Sequence, residues 1–224
     1  MDLPEAYKTG GKDFLGIKID LSKRPFIPRE ETEYWAGIAI EEIKQFTEKK
    51  KRQADCLDLF SGSGCIGVAL LKKTAKANCD FGEADDNFLQ QIKINLDLNE
   101  IDPKRYNLIK SDVFFGIDGV YDFIVANPPY VDEERIDEIG PDVKRYEPAI
   151  ALMAGKGGMD HIKLFLEDAF AHLKKGGTIF MEMDEKQKKL IKDFLGSLPE
   201  DRKYSGFKFF KDQFGKYRFL KITK

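Results

Sequence analysis

Residues 56–67, CLDLFSGSGCIG, contain the pattern from which the fold class can be predicted. An apolar run, CLDLF, ends in a glycine-rich turn, and a helical pattern, CIGVALLKK, follows it. Gly62, Gly64 and Gly67 indicate a tight turn at which a ligand approaches the bare backbone and the N–H groups that open a helix. The stretch therefore predicts a strand, a ligand-binding turn and a helix.

Apolar β-rich runs alternate with helical patterns from Asp55 almost to the end of the sequence. This alternation predicts an α/β protein with a parallel sheet and crossover helices. The final runs, FKFF and KYRFLKIT, are close enough in sequence to form a hairpin, so the last strand is expected to be antiparallel. A second strand is expected to end near 81–83, and further strands are expected at 106–110, 121–126 and 178–183 (TIFMEM). Further helices are expected over 86–100, 161–173 and 186–195.

Acidic residues follow three of these runs. Asp58 stands at the end of the first strand. Glu83, nineteen residues after Gly64, is placed to accept both ribose hydroxyls of an adenosine, and Asp112 to accept its exocyclic amine. The glycine pattern with a later acid also describes a dinucleotide site. Asp58 favours S-adenosylmethionine, because this cofactor is cationic and lacks the phosphates that a carboxylate would repel.

The tetrapeptide Asn127-Pro128-Pro129-Tyr130 follows the fourth predicted strand. The two prolines remove N–H donors, so the Asn127 side-chain oxygen and the Pro128 carbonyl are left to accept the two N–H bonds of a planar NH₂ group. Tyr130 offers a ring face for that group. The tetrapeptide therefore predicts methyl transfer to an amide or amine nitrogen, with no catalytic metal and no role for His161 or His172.

A polar segment from Val131 to about Gly158 is too long for an ordinary connection, which is typical of a functional loop. We expect it to line a substrate groove, with Arg145, Tyr146 and Glu147 near an incoming peptide. Residues 1–52 are interpreted as an N-terminal appendage of a short β-segment and a helix, and residues 53–224 as the catalytic domain.

The composition is that of a globular protein, with 37 Lys and Arg against 39 Asp and Glu among 224 residues. This balance does not favour nucleic acid as a direct substrate. Cys56, Cys65 and Cys79 have neither zinc-ligand nor disulfide spacing, and no membrane span or signal peptide is evident. We expect a cytoplasmic protein, and a monomer.

From about Phe14 onward the sequence resembles the HemK/PrmC protein-glutamine N5-methyltransferases, which modify peptide chain release factors. FLGIKIDLSKRPFIPREETE (14–33) is similar to the family's hairpin and Ile-Pro-Arg-Pro-Glu-Thr-Glu element, and DLFSGSGCIG to its cofactor loop. Further similarities lie in SDVF (111–114), NPPYV (127–131), RYEPAIALMAGKGGMDHI (145–162), GGTIFMEMDEKQ (176–187) and QFGKYRFLKI (213–222).

The resemblance implies a Rossmann-like class I methyltransferase fold, a mostly parallel seven-stranded sheet with an antiparallel last strand. It implies S-adenosylmethionine as cofactor, S-adenosylhomocysteine as product, and the Gly-Gly-Gln glutamine of a release factor as target. The catalytic residues would be Asn127, Pro128, Pro129 and Tyr130. The cofactor would contact Asp58, Phe60, Ser61, Gly62, Ser63, Gly64, Glu83, Ala84, Asp112, Val113 and Asn127. The protein substrate would contact the tetrapeptide, Arg29, Glu33, Arg145 and Glu147.

The sequence departs from the family pattern at single positions. Glu30 replaces a proline, Phe60 a glycine, Glu83 an aspartate, and Val113 a frequent aromatic. The bacterial enzymes also carry a helical N-terminal domain for which this sequence has almost no room, so either it is truncated or this member recognises its target without that domain. Two alternatives stay open: a DNA or RNA amine methyltransferase using the same tetrapeptide, and a non-catalytic cofactor-binding scaffold.

Overall fold

The protein is built around a central β-sheet. The computed structural model describes residues 3–138 and 140–224. The strands are β1 (Gly11–Phe14), β2 (Ile17–Asp20), β3 (Ala54–Leu59), β4 (Ala77–Glu83), β5 (Tyr106–Lys110), β6 (Tyr121–Ala126), β7 (Leu173–Glu182), β8 (Gly206–Lys211) and β9 (Tyr217–Thr223). The helices are α1 (Glu5–Lys8), α2 (Glu30–Lys50), α3 (Cys65–Lys73), α4 (Asp86–Leu98), α5 (Pro141–Tyr146), α6 (Asp160–His172) and α7 (Lys188–Ser197).

Seven strands form the main sheet in the order β5-β4-β3-β6-β7-β9-β8. The pairs from β5 to β7 are parallel, whereas β9 is antiparallel to both β7 and β8. The order runs outward in both directions from β3, so the point where it reverses lies between β3 and β6. Ligands of such sheets bind at the carboxyl ends of the strands near this point. The expected sheet, its antiparallel last strand and the terminal hairpin are confirmed.

The sheet is covered on both faces, which explains why its central strands are continuously apolar. All six residues of β6 are buried. On one face, α2, α3 and α4 pack around Phe81 and Phe123, and on the other, α6 and α7 pack around Ile124 and Phe165. Each large apolar side chain buried in this way contributes ~1.5–3 kcal/mol relative to an exposed one. The sheet is therefore buried between two layers of helices.

The N-terminal segment shares this core. Trp35, Ala36 and Ala39 of α2 are fully buried. The β1–β2 hairpin is tied to α4, because the Asp20 N–H donates to Asn95 Oδ1 at 2.7 Å. Residues 3–52 therefore pack as part of one apolar interior, and the division of 1–52 from 53–224 stays a prediction.

Several boundaries differ from those expected. β7 begins at Leu173, so the strand includes the Lys-Lys-Gly-Gly stretch, and its pairing with β6 is irregular there. A capping box at Asp184 and Gln187 precedes α7, which delays the helix to Lys188. Between β6 and α6 the described residues form α5 and three short 3-10 turns. None of the helices in the described ranges is long and apolar enough to span a membrane.

Candidate active site

A cleft of about 370 Å³ opens at the carboxyl edge of the sheet. Its walls combine the glycine turn after β3, the ends of β4 and β6, the segment before α2, and the loop between β6 and α6. The lining includes Phe26, Arg29, Thr32, Phe60, Ser61, Gly62, Ser63, Glu83, Ala84, Ser111, Asp112, Val113, Asn127, Pro128, Pro129, Tyr130, Ile150, His161, Glu182 and Arg218.

The glycine turn has the geometry that its sequence predicts. Gly62 and Gly64 have φ values of 54° and 74°, in the left-handed region that favours glycine. Gly67 serves packing, since a Cβ added there would lie 2.3 Å from a ring carbon of Phe81. Residues 60–63 line the cleft, whereas Gly64 lies behind them against Ile92. The turn thus brings α3 close to the sheet and leaves backbone facing the cleft.

Phe60, where the family usually has glycine, keeps the left-handed conformation with a φ of 59°. This conformation is unfavourable for a bulky side chain. The ring packs edge-on against His161 and lies near Phe165, at centroid distances of 6.0 and 6.2 Å. Aromatic contacts therefore offset part of the backbone strain, and Phe60 forms a wall of the cleft.

Asp58 does not face the cleft. Its carboxyl is buried beneath the turn, where Oδ2 accepts the Gly67 N–H at 2.8 Å. Burial raises the pKa of Asp58 to about 8, opposed by the hydrogen bond from Gly67 and reinforced by the charge of Glu83. The structure thus gives Asp58 a role in holding the start of α3, in place of the direct cofactor contact expected from the sequence.

Glu83 lies in the cleft wall with 8% of its surface exposed. Its carboxylate accepts the Gly62 N–H at 2.8 Å and the Asp85 N–H at 3.0 Å. Burial raises the pKa of Glu83, although both backbone hydrogen bonds oppose the shift. The carboxylate is therefore held in one orientation at the end of β4.

The far end of the cleft fits a nucleoside. Ala84, Asp112 and Val113 line it together with Ser111, whose buried hydroxyl has no hydrogen-bond partner among the described residues. Buried polar groups are rarely left unpaired, so this hydroxyl indicates a polar ligand. Glu83 and Asp112 supply carboxylates for hydroxyl and amine donors. The residues present therefore fit the cofactor predicted from the sequence.

The tetrapeptide 127–130 lines the opposite end of the cleft. Tyr130 donates its hydroxyl to Glu182 Oε1 at 3.1 Å, and Asn127 Nδ2 lies 3.5 Å from Thr32 Oγ1. Glu182 also accepts from Thr32 Oγ1 at 2.6 Å and from Trp35 Nε1 at 2.7 Å. Its carboxyl is 1% exposed, and burial raises its pKa. A buried carboxyl thus connects α2, β7 and the tetrapeptide.

Sequence reasoning did not place Thr32, Glu182 and Arg218 in the cleft that they line. All three lie within segments that carry the family resemblance, but they come from distant parts of the chain. Only the sheet order brings the ends of β6 and β7 next to the start of α2. The position of Glu182 at the end of a strand was the one signal available, the same signal that identified Glu83.

Of the predicted substrate contacts outside the tetrapeptide, only Arg29 lines the cleft. Glu147 is buried in an ion pair with Arg29, and Glu33 accepts the Leu15 N–H at 2.6 Å. Arg145 is exposed, with its guanidinium over the Tyr146 ring.

The two histidines, which were expected to have no chemical role, occupy different places. His161 lines the cleft, and its Nδ1 has no hydrogen-bond partner within the described ranges. His172 stacks on Phe114 outside the lining, with a centroid distance of 4.6 Å, and its Nδ1 lies 2.9 Å from the Gly119 carbonyl. The structure therefore brings only His161 into the site.

Comparison with known sequences places these features in a family. Residues 43–140 match the family described as Methyltransferase small domain. The release factor glutamine methyltransferase of Streptococcus pneumoniae is 34% identical over 98% of this chain and 74% of its own length. The ribosomal protein uL3 glutamine methyltransferase of Francisella tularensis is 32% identical over 80% of this chain and 55% of its own length.

Solved structures share the fold. A ribosomal protein L11 methylase from Lactobacillus delbrueckii subsp. bulgaricus has a TM-score of 0.60 and 18% identity, covering 92% of this chain and 82% of its own. The T. thermophilus 16S rRNA N2 G1207 methyltransferase, in complex with AdoMet and guanosine, has a TM-score of 0.60 and 20% identity, covering 96% and 49%. With the cleft geometry and the Streptococcus relative, these findings show that the chain is an S-adenosylmethionine-dependent methyltransferase of the release factor glutamine methyltransferase family.

Proposed function

We propose that the protein methylates the side-chain amide nitrogen of a glutamine in a protein substrate, the Gly-Gly-Gln glutamine of a peptide chain release factor. The observation that carries this proposal is the meeting of two segments in one cleft: the tetrapeptide 127–130 and the segment that contains Arg29 and Thr32. The tetrapeptide provides acceptors for a planar NH₂ group. The second segment carries the resemblance that favours a protein-glutamine substrate over a base.

Asn127 and Pro128 would accept the two N–H bonds of the glutamine amide, and the Tyr130 ring would pack against its plane. When bound, S-adenosylmethionine supplies an electrophilic methyl group and leaves as S-adenosylhomocysteine. The amide nitrogen is a weak nucleophile, so these residues would act by holding it in line at near-attack distance and by favouring positive charge on it. One N–C bond forms, one S–C bond breaks, and the nitrogen loses one proton to solvent.

The cofactor would lie along residues 60–63, Glu83, Ala84, Asp112 and Val113, with its reactive end toward Asn127. Asp58 and Gly64 would support this surface from behind. Glu83 is already held by two backbone N–H groups, which leaves its remaining lone pairs for ribose hydroxyls. This orientation agrees with the position of the unpartnered Ser111 hydroxyl.

The choice of a release factor rests on relatives. The Streptococcus pneumoniae relative is named for release factors and the Francisella tularensis relative for ribosomal protein uL3. The chain spans 74% of the first and 55% of the second. We further infer that it acts as a monomer in the cytoplasm, where a translation factor would be its substrate. Light scattering of the purified protein tests the monomer.

The decisive experiment incubates the protein with methyl-labelled S-adenosylmethionine and a release factor, followed by mass mapping of the modified residue. We expect one methyl group on the glutamine of Gly-Gly-Gln. A release factor with Ala in place of that glutamine is the control and should take up no label. Ribosomal protein uL3 and a DNA duplex are parallel substrates. Label on uL3 or DNA with none on the release factor would overturn the proposal.

A further inference from the structure

The buried carboxyl of Glu182 is hydrogen-bonded both to the tetrapeptide and to α2, and Tyr130 donates its hydroxyl to Oε1 at 3.1 Å. Thr32 Oγ1 donates to Glu182 Oε2 at 2.6 Å, and Trp35 Nε1 donates to the same oxygen at 2.7 Å. Asn127 Nδ2 then lies 3.5 Å from Thr32 Oγ1, a long hydrogen bond. The hydrogen-bonded series Glu182–Thr32–Asn127 therefore connects β7, through the first turn of α2, to the tetrapeptide.

The direction of each bond follows from the donors available. An indole N–H can only donate and a carboxylate can only accept, so both bonds to Glu182 Oε2 run toward the carboxylate. Thr32 has a single hydroxyl proton, which goes to that oxygen, so Thr32 can offer only a lone pair to Asn127. Asn127 must then turn its NH₂ group toward Thr32. Its Oδ1 is left facing away from Thr32.

We propose that Thr32 and Glu182 are positioning residues that fix the amide of Asn127 with its oxygen toward the cleft, and that this polarity selects glutamine over glutamate. The proposal rests on the proposed function, in which that oxygen accepts an N–H of the substrate. An amide turned by 180° would present N–H donors to the cleft. Those donors would repel the NH₂ group of glutamine and match a glutamate carboxylate.

The expected selectivity for glutamine over glutamate comes from a hydrogen bond within the site. Such a site rejects an analogue that lacks the matching group far more strongly than an apolar pocket does, because its own polar atom is left unpaired. The oxygen of Asn127 facing a glutamate carboxylate would bring two acceptors together. Fixing the amide therefore both favours the correct substrate and excludes its deamidated form.

Thr32→Val and Thr32→Ser are matched variants for the test. Valine keeps the shape and removes the hydroxyl, whereas serine keeps the hydroxyl. With the release factor as substrate, we expect Val to lower kcat ~10–100-fold, within the range for losing a preorganised group, and Ser to restore kcat to within ~3-fold. The affinity for S-adenosylhomocysteine should stay unchanged in both, since Thr32 acts at the other end of the cleft.

Competition measures the specificity directly. A release factor with Gly-Gly-Glu should inhibit the wild-type protein weakly and the Thr32→Val variant at least ~10-fold more strongly. Glu182→Gln is the second variant, because a glutamine oxygen can still accept from Thr32 and Trp35. It should retain the wild-type preference for glutamine, while Glu182→Leu should lose it. Equal inhibition of all four proteins by Gly-Gly-Glu would overturn the proposal.

One readout is independent of turnover. In protein labelled with ¹⁵N-asparagine, the side-chain NH₂ resonance of Asn127 is assigned by its loss in Asn127→Ala. We expect this resonance to shift in Thr32→Val and to remain in place in Thr32→Ser. A resonance unmoved by valine contradicts the bond to Thr32. If the resonance shifts but the wild type modifies no glutamine, the proposed function fails and the positioning of Asn127 stands.

Discussion

Arg29 and Glu147, 118 positions apart, form an ion pair that ties the segment before α2 to the end of α5. The Glu147 side chain is 2% exposed and that of Arg29 30%. Glu147 also accepts the Ile27 N–H at 3.3 Å. Since Arg29 lines the cleft and Glu147 belongs to the loop between β6 and α6, this pair closes one wall of the site.

Arg29→Ala is expected to open that wall. Removing one partner of a buried pair leaves the other charge uncompensated, which costs up to ~3–5 kcal/mol in a fully buried case and less here, because Arg29 is partly exposed. We expect a raised KM for the protein substrate, unchanged cofactor affinity, and faster hydrogen exchange over residues 141–147. Arg202→Ala, at an exposed arginine outside the cleft, is the control.

The same exchange experiment tests the mobility expected of residues 131–158, which should exchange faster than β3 and β6 in the free protein.

Asn127→Ala should abolish methyl transfer and leave cofactor binding nearly unaltered. Losing one preorganised group at a reacting centre typically costs ~10²–10³ in rate, and Asn127 also sets the attack geometry. Steady-state kinetics and calorimetry with S-adenosylhomocysteine separate the two effects. Near-normal turnover in this variant would remove the tetrapeptide from the reaction.

Asn127→Asp is the finer test of the same residue. A carboxylate accepts N–H bonds from the substrate, but it has no donor for Thr32, whose proton is held by Glu182. We therefore expect aspartate to lose as much of kcat as alanine does. A variant that retained most of the wild-type kcat would show that acceptance alone is sufficient.

Glu83→Ala should weaken the cofactor by ~1–3 kcal/mol, the range for hydrogen bonds to a charged group. The structure adds a second cause, because the change also releases the N–H groups of Gly62 and Asp85 that the carboxylate now holds. Glu83→Gln keeps an acceptor oxygen and should lose less. Calorimetry with S-adenosylmethionine measures both variants, and equal affinity for wild type and alanine would exclude Glu83 from the site.

The raised pKa of Asp58 predicts that the free energy of unfolding depends on pH. Because burial raises its pKa from an ordinary 3.8 to about 8, the folded protein holds a proton that the unfolded chain releases. Its contribution to the free energy of unfolding is therefore full below about pH 4 and is lost as the pH rises toward about 8. Asp58→Asn keeps an acceptor for the Gly67 N–H without titrating. In urea unfolding, we expect wild type to lose stability relative to this variant between about pH 5 and pH 8, and parallel curves would contradict the assignment.

The sheet could be predicted from the sequence because each strand ends at a local signal. CLDLF ends at a glycine turn and YDFIVA at two prolines, so β3 and β6 were located to within two residues. Glu83 and Asn127 were placed in the site by the rule that parallel strands end at one edge. The same rule misplaced Asp58, since the strand-end position does not reveal that the carboxyl points beneath the turn toward Gly67.

The contacts that sequence reasoning could not find depend on distant segments. Thr32 and Glu182 are 150 positions apart, and nothing local to either residue indicates the other. Glu147 was expected to face a peptide because it lies in a long polar loop. Its partner is Arg29, which was expected to face the same peptide. Charged residues in such a loop can either contact the substrate or form ion pairs that hold the loop in place, and only the packing distinguishes these two roles.

The cleft draws its walls from Phe26 near one end of the described chain to Arg218 near the other. During synthesis, the glycine turn, β4 and β6 can pair long before Arg218 has been made, whereas Thr32 must wait for Glu182. A chain that ends before β7 lacks both Glu182 and Arg218, so it has the residues that line the end of the cleft near Glu83 and Asp112 but not all of those that line the opposite end. In this architecture the tetrapeptide is made before the buried carboxyl that holds it, so its contact with Glu182 forms only after the end of β7 has been synthesised.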